Sequence, residues 1–305
     1  MPSQRTGMLY AFLAYAIWGL FPLYFKQLHG VDAFEVIAHR TLWSLAVLLA
    51  VLAVLRRWAW MPEVFAKPAV LRASAISALL LSGNWLVYVW AVQNGHVVES
   101  SLGYFINPLV SVALGFVVLH ERPRPLQWAA VGLAGVGVLW LAFGAGHVPW
   151  IALVLAVSFG FYGLMRKTAT LGALEGLTLE TLILAPIAAV ALIWWCMNGT
   201  SPLVRGAQGD SHLIAWLLAA GPLTAVPLLL FASGARRIPL MLLGLMQYIA
   251  PTLQFAIGVY VYGEPMSPSR LIGFAIIWTA LALYSAEGLL RSGLILKPGR
   301  SGPAA

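Results

Sequence analysis

The chain has 305 residues, 61% of them hydrophobic and only 9% charged, with a formal net charge of +8. Soluble domains carry about 25% charged residues, so this chain cannot solvate its own surface; a water-soluble globule and a disordered chain are both excluded. The single cysteine, Cys196, excludes an intramolecular disulfide and a zinc site built on several thiolates, and packing is its expected role in an apolar run.

A hydrocarbon core about 30 Å thick needs about 20 apolar residues of helix. On that measure the sequence predicts ten spans, at 8–28, 35–55, 71–93, 99–119, 126–143, 148–166, 175–196, 212–232, 240–262 and 269–290. The first is expected to be retained. Met1–Gly7 carries only Arg5, and the run from Met8 fills a whole span without a small-residue cleavage pattern. The connectors hold the expected breakers: Pro62 and Pro68, Pro123 and Pro125, Gly144 and Gly146, and the stretch Gly199–Gly209. Continuous apolar runs, not alternating ones, exclude a β-barrel. The expected fold class is an all-α integral membrane protein with ten transmembrane helices and a tail at 291–305.

Lysine and arginine set the orientation. With the N-terminus in the cytoplasm, 14 of the 18 fall on the inner side, only Lys26, Arg205 and Arg270 on the outer side, and Arg40 inside a span. Both termini are therefore expected in the cytoplasm, and the protein in the cytoplasmic (inner) membrane.

The stretch Leu102–Pro125 occurs again as Leu245–Pro268. Pro108 aligns with Pro251, Gly115 with Gly258, Glu121 with Glu264 and Pro125 with Pro268, all at an offset of 143 without a gap. Weaker echoes place Gly19, Leu23 and Lys26 with Gly160, Leu164 and Lys167, and Glu35, Thr41 and Leu42 with Glu175, Thr181 and Leu182. Two five-span halves, 1–143 and 148–290, are expected to form one functional unit. Because five is odd, the halves are inverted in the membrane, the arrangement that supplies two related conformations, one open to each side.

The residue pattern resembles the drug/metabolite transporter superfamily, in its EamA branch, and within it the RarD-type permeases. The carrying stretches are AHRTLWS (Ala38–Ser44), GNWLVYVWAVQNGHVVESSLGYFINPL (Gly83–Leu109), SFGFYGLMRK (Ser158–Lys167) and QYIAPTLQFAIGVYVYGEP (Gln247–Pro265). The resemblance implies ten helices in a 5 + 5 inverted repeat, a cytoplasmic-membrane address and transport of small metabolites or drugs. It implies no particular substrate. Small multidrug exporters of the superfamily use a glutamate in the first helix, whereas Leu9–Leu28 has no acidic residue; coupling by that route is therefore not expected here.

A charge at a helix centre costs about 2.5–3.5 kcal/mol on insertion scales, so each one inside a span demands a reason. Arg40 lies about 8 Å into its span at about 1.5 Å per residue. It is a candidate to present a positive charge to an anionic substrate; the alternatives are snorkelling or a pair with Glu35. His39 beside it is either a titrating gate or a satisfied core histidine. Glu180 occupies the repeat position of Arg40, at an offset of 140, so the two are expected at opposite depths and not paired. Glu180 is the candidate proton-coupling group; the alternative is an ion pair with Arg166 or Lys167.

Amides in hydrocarbon need partners. Asn84, Asn107 and Gln247 are candidates to line a cavity or to bridge helices, and Gln93, Asn94 and Gln254 raise the same question. Pro108 and Pro251 free a backbone carbonyl one turn back and are expected to kink their helices. Trp18, Trp43, Trp85, Trp90, Tyr88, Tyr104 and Tyr248 are candidates for an aromatic wall against a flat substrate, or for the interface belt. Gly19, Gly83, Gly103, Gly115, Gly160, Gly244 and Gly258 are expected at close helix contacts. Glu121 and Glu264 are expected to cap the helices that begin near Pro125 and Pro268.

The leading expectation is a secondary transporter of small organic solutes working by alternating access. No GxxxxGK[ST] loop is present to bind ATP, and no HExxH, GxSxG or paired-Asp motif points to an intramembrane enzyme. A flippase for a lipid-linked intermediate is the alternative. No cofactor or metal is expected, no nucleic-acid partner, and a monomer suffices although a dimer is possible.

Overall fold

The computed structural model of the chain describes residues 2–291 apart from 29, 94–96, 144–149, 207–210, 262 and 264–267. Among the described residues it is all-helical. The helices are α1 (Pro2–Gly19), α2 (Phe21–Gln27), α3 (Ala33–Leu55), α4 (Trp60–Phe65), α5 (Pro68–Gln93), α6 (Val97–Val117), α7 (Pro125–Phe143), α8 (Trp150–Thr168), α9 (Ala173–Met197), α10 (Pro202–Gly206), α11 (Ser211–Ala235), α12 (Leu240–Met246), α13 (Ile249–Tyr260) and α14 (Pro268–Arg291). The tail beyond 291, Asn94 and Glu264 lie outside the described residues.

The local chemistry fixes the helix starts. Asp32 caps α3, its carboxylate accepting from the backbone N–H of Phe34 at 2.9 Å and of Glu35 at 3.4 Å. Prolines 68, 125, 202 and 268 open α5, α7, α10 and α14, where a missing N–H costs nothing. Eight stretches are long and apolar enough to cross a membrane, and two shorter apolar helical stretches, Gly103–Val117 and Leu271–Ala280, lie in α6 and α14. Large apolar side chains such as Val54, Leu79, Ile187, Val190 and Tyr260 face outward. Only lipid can cover such a surface without penalty, so this is a multi-pass membrane protein.

Two predicted spans are interrupted. The first divides at Leu20 into α1 and α2, and the ninth at Gln247–Tyr248 into α12 and α13. Pro251 sits in the first turn of α13, immediately after the second break, whereas α6 runs through Pro108 without interruption. Two short helices, α4 and α10, occupy connectors that the sequence leaves as loops.

The packing partners come in related pairs. α1 packs on α11 and on α13; α8 packs on α5 and on α6. α3 meets α11 as α9 meets α5, while α3–α9, α6–α12 and α7–α14 join one set to the other. The pairing extends to single contacts. A Cβ on Gly19 would lie 2.7 Å from Leu253, and one on Gly160 would lie 2.7 Å from Val110. Gly83, by contrast, has open space around it and is not a packing glycine. One close approach of backbone to backbone was not legible beforehand: a Cβ on Gly221 would lie 2.6 Å from the Trp43 carbonyl oxygen, where α11 presses on α3 and the Ser44 hydroxyl donates to the Gly221 carbonyl at 3.3 Å.

One core cluster joins α1, α3, α8, α9 and α11 around Tyr15, Leu48, Leu177, Tyr162 and Phe231. A second, around Phe105, Val112, Ala134, Tyr248 and Phe274, joins α6, α7, α13 and α14. Between them the bundle is incompletely filled.

Candidate functional site

The space between the clusters is a cavity with an empty volume, its mouth included, of about 890 Å³. It brings together the C-terminal part of α1 and α2, the N-terminal third of α3, the C-terminal part of α5 and the N-terminal parts of α6 and α8, with α12–α13. Such alternation of helix ends and beginnings is what up-and-down helices place at one end of a bundle. That end is called here the Asp32 end.

Seven of the nine candidate binding residues line this cavity: Arg40, Asn84, Trp85, Tyr88, Tyr104, Asn107 and Gln247. Arg40 is the centre. Its residue is 5% exposed, its Nε donates to the Thr224 hydroxyl at 3.0 Å, and its guanidinium lies 4.4 Å from the Trp85 ring centroid. Phe21 and Phe25 flank it at 5.6 and 5.7 Å. Cation–π contact of this kind tolerates a desolvated guanidinium but does not neutralise it. Among the described residues Arg40 has no carboxylate within ion-pair distance. Glu35, its expected alternative partner, lies instead 3.9 Å from His39 Nε2. The reason is helical geometry: positions i and i+4 face each other, and i and i+5 do not.

The amides divide their roles. Asn84 Nδ2 donates to the Leu155 carbonyl and to the Ser158 hydroxyl, both at 2.9 Å, so it bridges α5 to α8 at the cavity wall. Gln247 stands at the break between α12 and α13, with Nε2 3.5 Å from the Ser111 hydroxyl. The Tyr15 hydroxyl lies beside it without closing a hydrogen bond. Gln254 Nε2 donates to the Trp18 carbonyl at 3.1 Å, the carbonyl exposed where α1 gives way to α2. Among the described residues no donor closes a hydrogen bond to the buried acceptors Asn107 Oδ1 and Gln247 Oε1.

Two candidates fall outside the cavity. His39 is wholly buried and accepts from Trp43 Nε1 at 3.0 Å. Tyr248 is also wholly buried, its hydroxyl donating to the Phe105 carbonyl at 3.1 Å; it pins α13 to α6. Of the other aromatic candidates, Trp18 lines the cavity and Trp90 packs on Trp150 at 5.8 Å. Tyr88 and Tyr104 meet edge to face at 5.7 Å. The sequence reading missed Tyr15, Phe21, Phe25 and Phe159 as cavity wall. Phe21 and Phe25 are spaced i, i+4 just after the Gly19–Leu20 break, the one signal that could have singled them out.

The opposite end of the bundle, the Arg57 end, is stapled. Glu180 accepts from Arg166 Nη1 at 3.1 Å, and both side chains are buried. Arg166 crosses α9 where Gly176 leaves room; a Cβ there would collide with the guanidinium. Ser77 and Tyr162 place hydroxyls beside Glu180 without closing hydrogen bonds. A second, smaller cavity lined by Glu180, Thr41, Ser44 and Thr181 lies next to this pair and shares Trp85 and Leu228 with the first. Arg57 meets Glu175 at 2.7 Å. Arg236 Nη1 donates to the Ala169 carbonyl at 2.9 Å and to that of Leu171.

Glu121 corrects its expected role. It does not cap α7 but reaches across the bundle to the start of α12, accepting from Leu240 N–H at 2.7 Å and Met241 N–H at 3.0 Å. At the start of α7 the Arg124 N–H already donates to Gln127 Oε1 at 3.0 Å, while the N–H groups of α12 begin a helix whose flanking Pro239 offers no side-chain cap. Lys167 Nζ lies 3.7 Å from Glu121 and donates to the Ile238 carbonyl at 2.6 Å.

Comparison with known proteins places the chain. The model of the EamA-like transporter family matches residues 5–143. Protein RarD of Streptomyces exfoliatus is 48% identical over 287 residues, covering 94% of this chain and 90% of that protein. An uncharacterized transporter of Pseudomonas aeruginosa is 44% identical over 297 residues, covering 97% of this chain and 99% of its own. A solved crystal structure shares the fold with a TM-score of 0.68 at 21% identity, covering 93% of this chain and 98% of that one. The chain belongs to the EamA family and is of the RarD type.

Proposed function

We propose that this RarD-type membrane transporter is a secondary carrier, moving small organic metabolites or drugs by alternating access and catalysing no chemical reaction. The carrying observation is the asymmetry of the bundle: an aromatic cavity around a buried arginine with no carboxylate partner among the described residues at the Asp32 end, and ion pairs at the Arg57 end. A carrier caught with one side open has this form.

In this reading the chain crosses the cytoplasmic membrane ten times as two inverted halves, 1–143 and 148–290, which act as one unit and as a monomer. Both termini are cytoplasmic, the Arg57 end faces the cytoplasm, and the cavity faces outward. The related helix contacts, down to Gly19–Leu253 and Gly160–Val110, support the inverted repeat, and the excess of Lys and Arg supports the orientation. The substrate site is the cavity, formed by Arg40, Asn84, Trp85, Tyr88, Tyr104, Asn107 and Gln247. Glu180 is the proton-coupling group: its protonation releases Arg166 and loosens the closed end.

The test is flux into proteoliposomes loaded with a pH-sensitive dye, across a panel of amino acids, aromatic metabolites and amphenicol drugs. Solute-dependent proton movement that disappears in Glu180→Gln supports the carrier and its coupling site. Flux without proton movement keeps the carrier and removes the coupling role. No flux for any soluble solute would shift the assignment to a flippase for a lipid-linked intermediate.

A further inference from the structure

We infer that the cavity takes a flat organic monoanion, a carboxylate or sulfonate, that also carries a hydrogen-bond donor remote from its acidic group. This rests on the carrier reading of the cavity and names the chemistry it selects.

Charge sets the first requirement. Arg40 is 5% exposed, and only its Nε has a hydrogen-bond partner among the described residues, the Thr224 hydroxyl at 3.0 Å. A buried charge without a counter-ion is an incomplete arrangement, and a guanidinium offers a planar fork of donors that matches a carboxylate or sulfonate. A cationic ligand would be repelled. A dianion such as a phosphate monoester would leave excess negative charge, because Arg40 is the only charged side chain lining the cavity among the described residues.

Shape sets the second. Trp85 already stacks on the guanidinium at 4.4 Å from its centroid, and Tyr88 and Tyr104 meet at 5.7 Å in the same wall. Planar rings offer most contact to a planar ligand.

The third requirement comes from Asn107. The residue is 5% exposed and lines the same cavity, yet among the described residues its Oδ1 receives no hydrogen bond. Gln247 Oε1 repeats the condition on the facing helix. Two bare acceptors call for an N–H or O–H on the ligand.

The purified full-length protein in detergent can be titrated calorimetrically with three probes: 4-aminobenzoate, which meets all three requirements, benzoate, which lacks the donor, and 4-aminobenzamide, which lacks the charge. The acid is expected to bind about tenfold or more tightly than the amide, since a charge-assisted pair is lost, and several-fold more tightly than benzoate. Arg40→Gln should erase the preference for acid over amide, and Asn107→Leu only the preference for 4-aminobenzoate over benzoate. Arg40→Lys, which keeps the charge without the fork, should retain a reduced acid preference and guards against misfolding of the glutamine variant. Equal binding of acid and amide, an unchanged preference in folded Arg40→Gln, or no binding by any probe to folded protein overturns the inference. The carrier reading fails separately. Flux of neutral or cationic solutes without anion binding leaves the carrier standing and removes the anion site. Binding of the acids without flux of any solute does the reverse.

Discussion

The two ends of the bundle place opposite charges at related positions and treat them differently. Arg40 and Glu180 sit at the same place in α3 and α9, 140 residues apart. Glu180 is held by Arg166 at 3.1 Å, with hydroxyls around it; Arg40 has Thr224, three aromatic rings and the cavity that it lines. Removing one member of a buried ion pair strands the other charge, whereas the guanidinium of Arg40 keeps donors available to the cavity. The helices around the two residues have related packing partners, α3 with α11 and α9 with α5, so the difference arises from particular side chains. Arg166 reaches Glu180 because Gly176 opens a path across α9; among the described residues no carboxylate reaches Arg40, and Glu35 is turned towards His39.

If the Arg57 end is closed by its charges, removing them should weaken it in order of burial. Arg166→Met leaves Glu180 buried without a partner and should cost about 3–5 kcal/mol, read as a lowered midpoint in thermal unfolding monitored by detergent size-exclusion. The double variant Arg166→Met/Glu180→Leu should recover most of that loss. Persistence of the full defect in the double variant would show that Arg166 acts through its carbonyl contacts and not through Glu180.

Glu121→Ala is intermediate. It removes two charge-assisted bonds to the start of α12 and the contact with Lys167, a loss of about 1–3 kcal/mol. It should also speed maleimide labelling of a reporter cysteine, Ser77→Cys in a Cys196→Ser background, as the Arg57 end opens. Unchanged labelling would separate stability from closure. Arg57→Gln should have the smallest effect, about 0–1 kcal/mol: the Arg57 side chain is 58% exposed and screened by solvent, and Glu175, although only 8% exposed, lies in the first turn of α9, where the helix N-terminus favours a carboxylate without Arg57. A loss as large as that of Arg166→Met would mean that exposure does not rank these contacts.

The sequence by itself determined the membrane class, the helical fold, the family and most of the helix limits, because lipid imposes a length and an apolarity on every crossing. It also singled out Arg40, Asn84, Trp85, Tyr88, Tyr104, Asn107 and Gln247, since polar and amphipathic groups are rare in apolar runs. It could not separate Tyr248 and His39 from that group, because both carry polar handles that only neighbouring helices satisfy, the Phe105 carbonyl for one and Trp43 for the other. Nor could it find Phe21, Phe25 and Phe159, since an apolar ring facing a cavity has the same signature as one facing lipid. Only the tertiary structure decided which charge is paired and which is bare, and that Glu121 reaches α12 across 119 positions of chain. Partner choice is set by distance in space, and within a span every apolar neighbour in sequence is compatible with several neighbours in the fold.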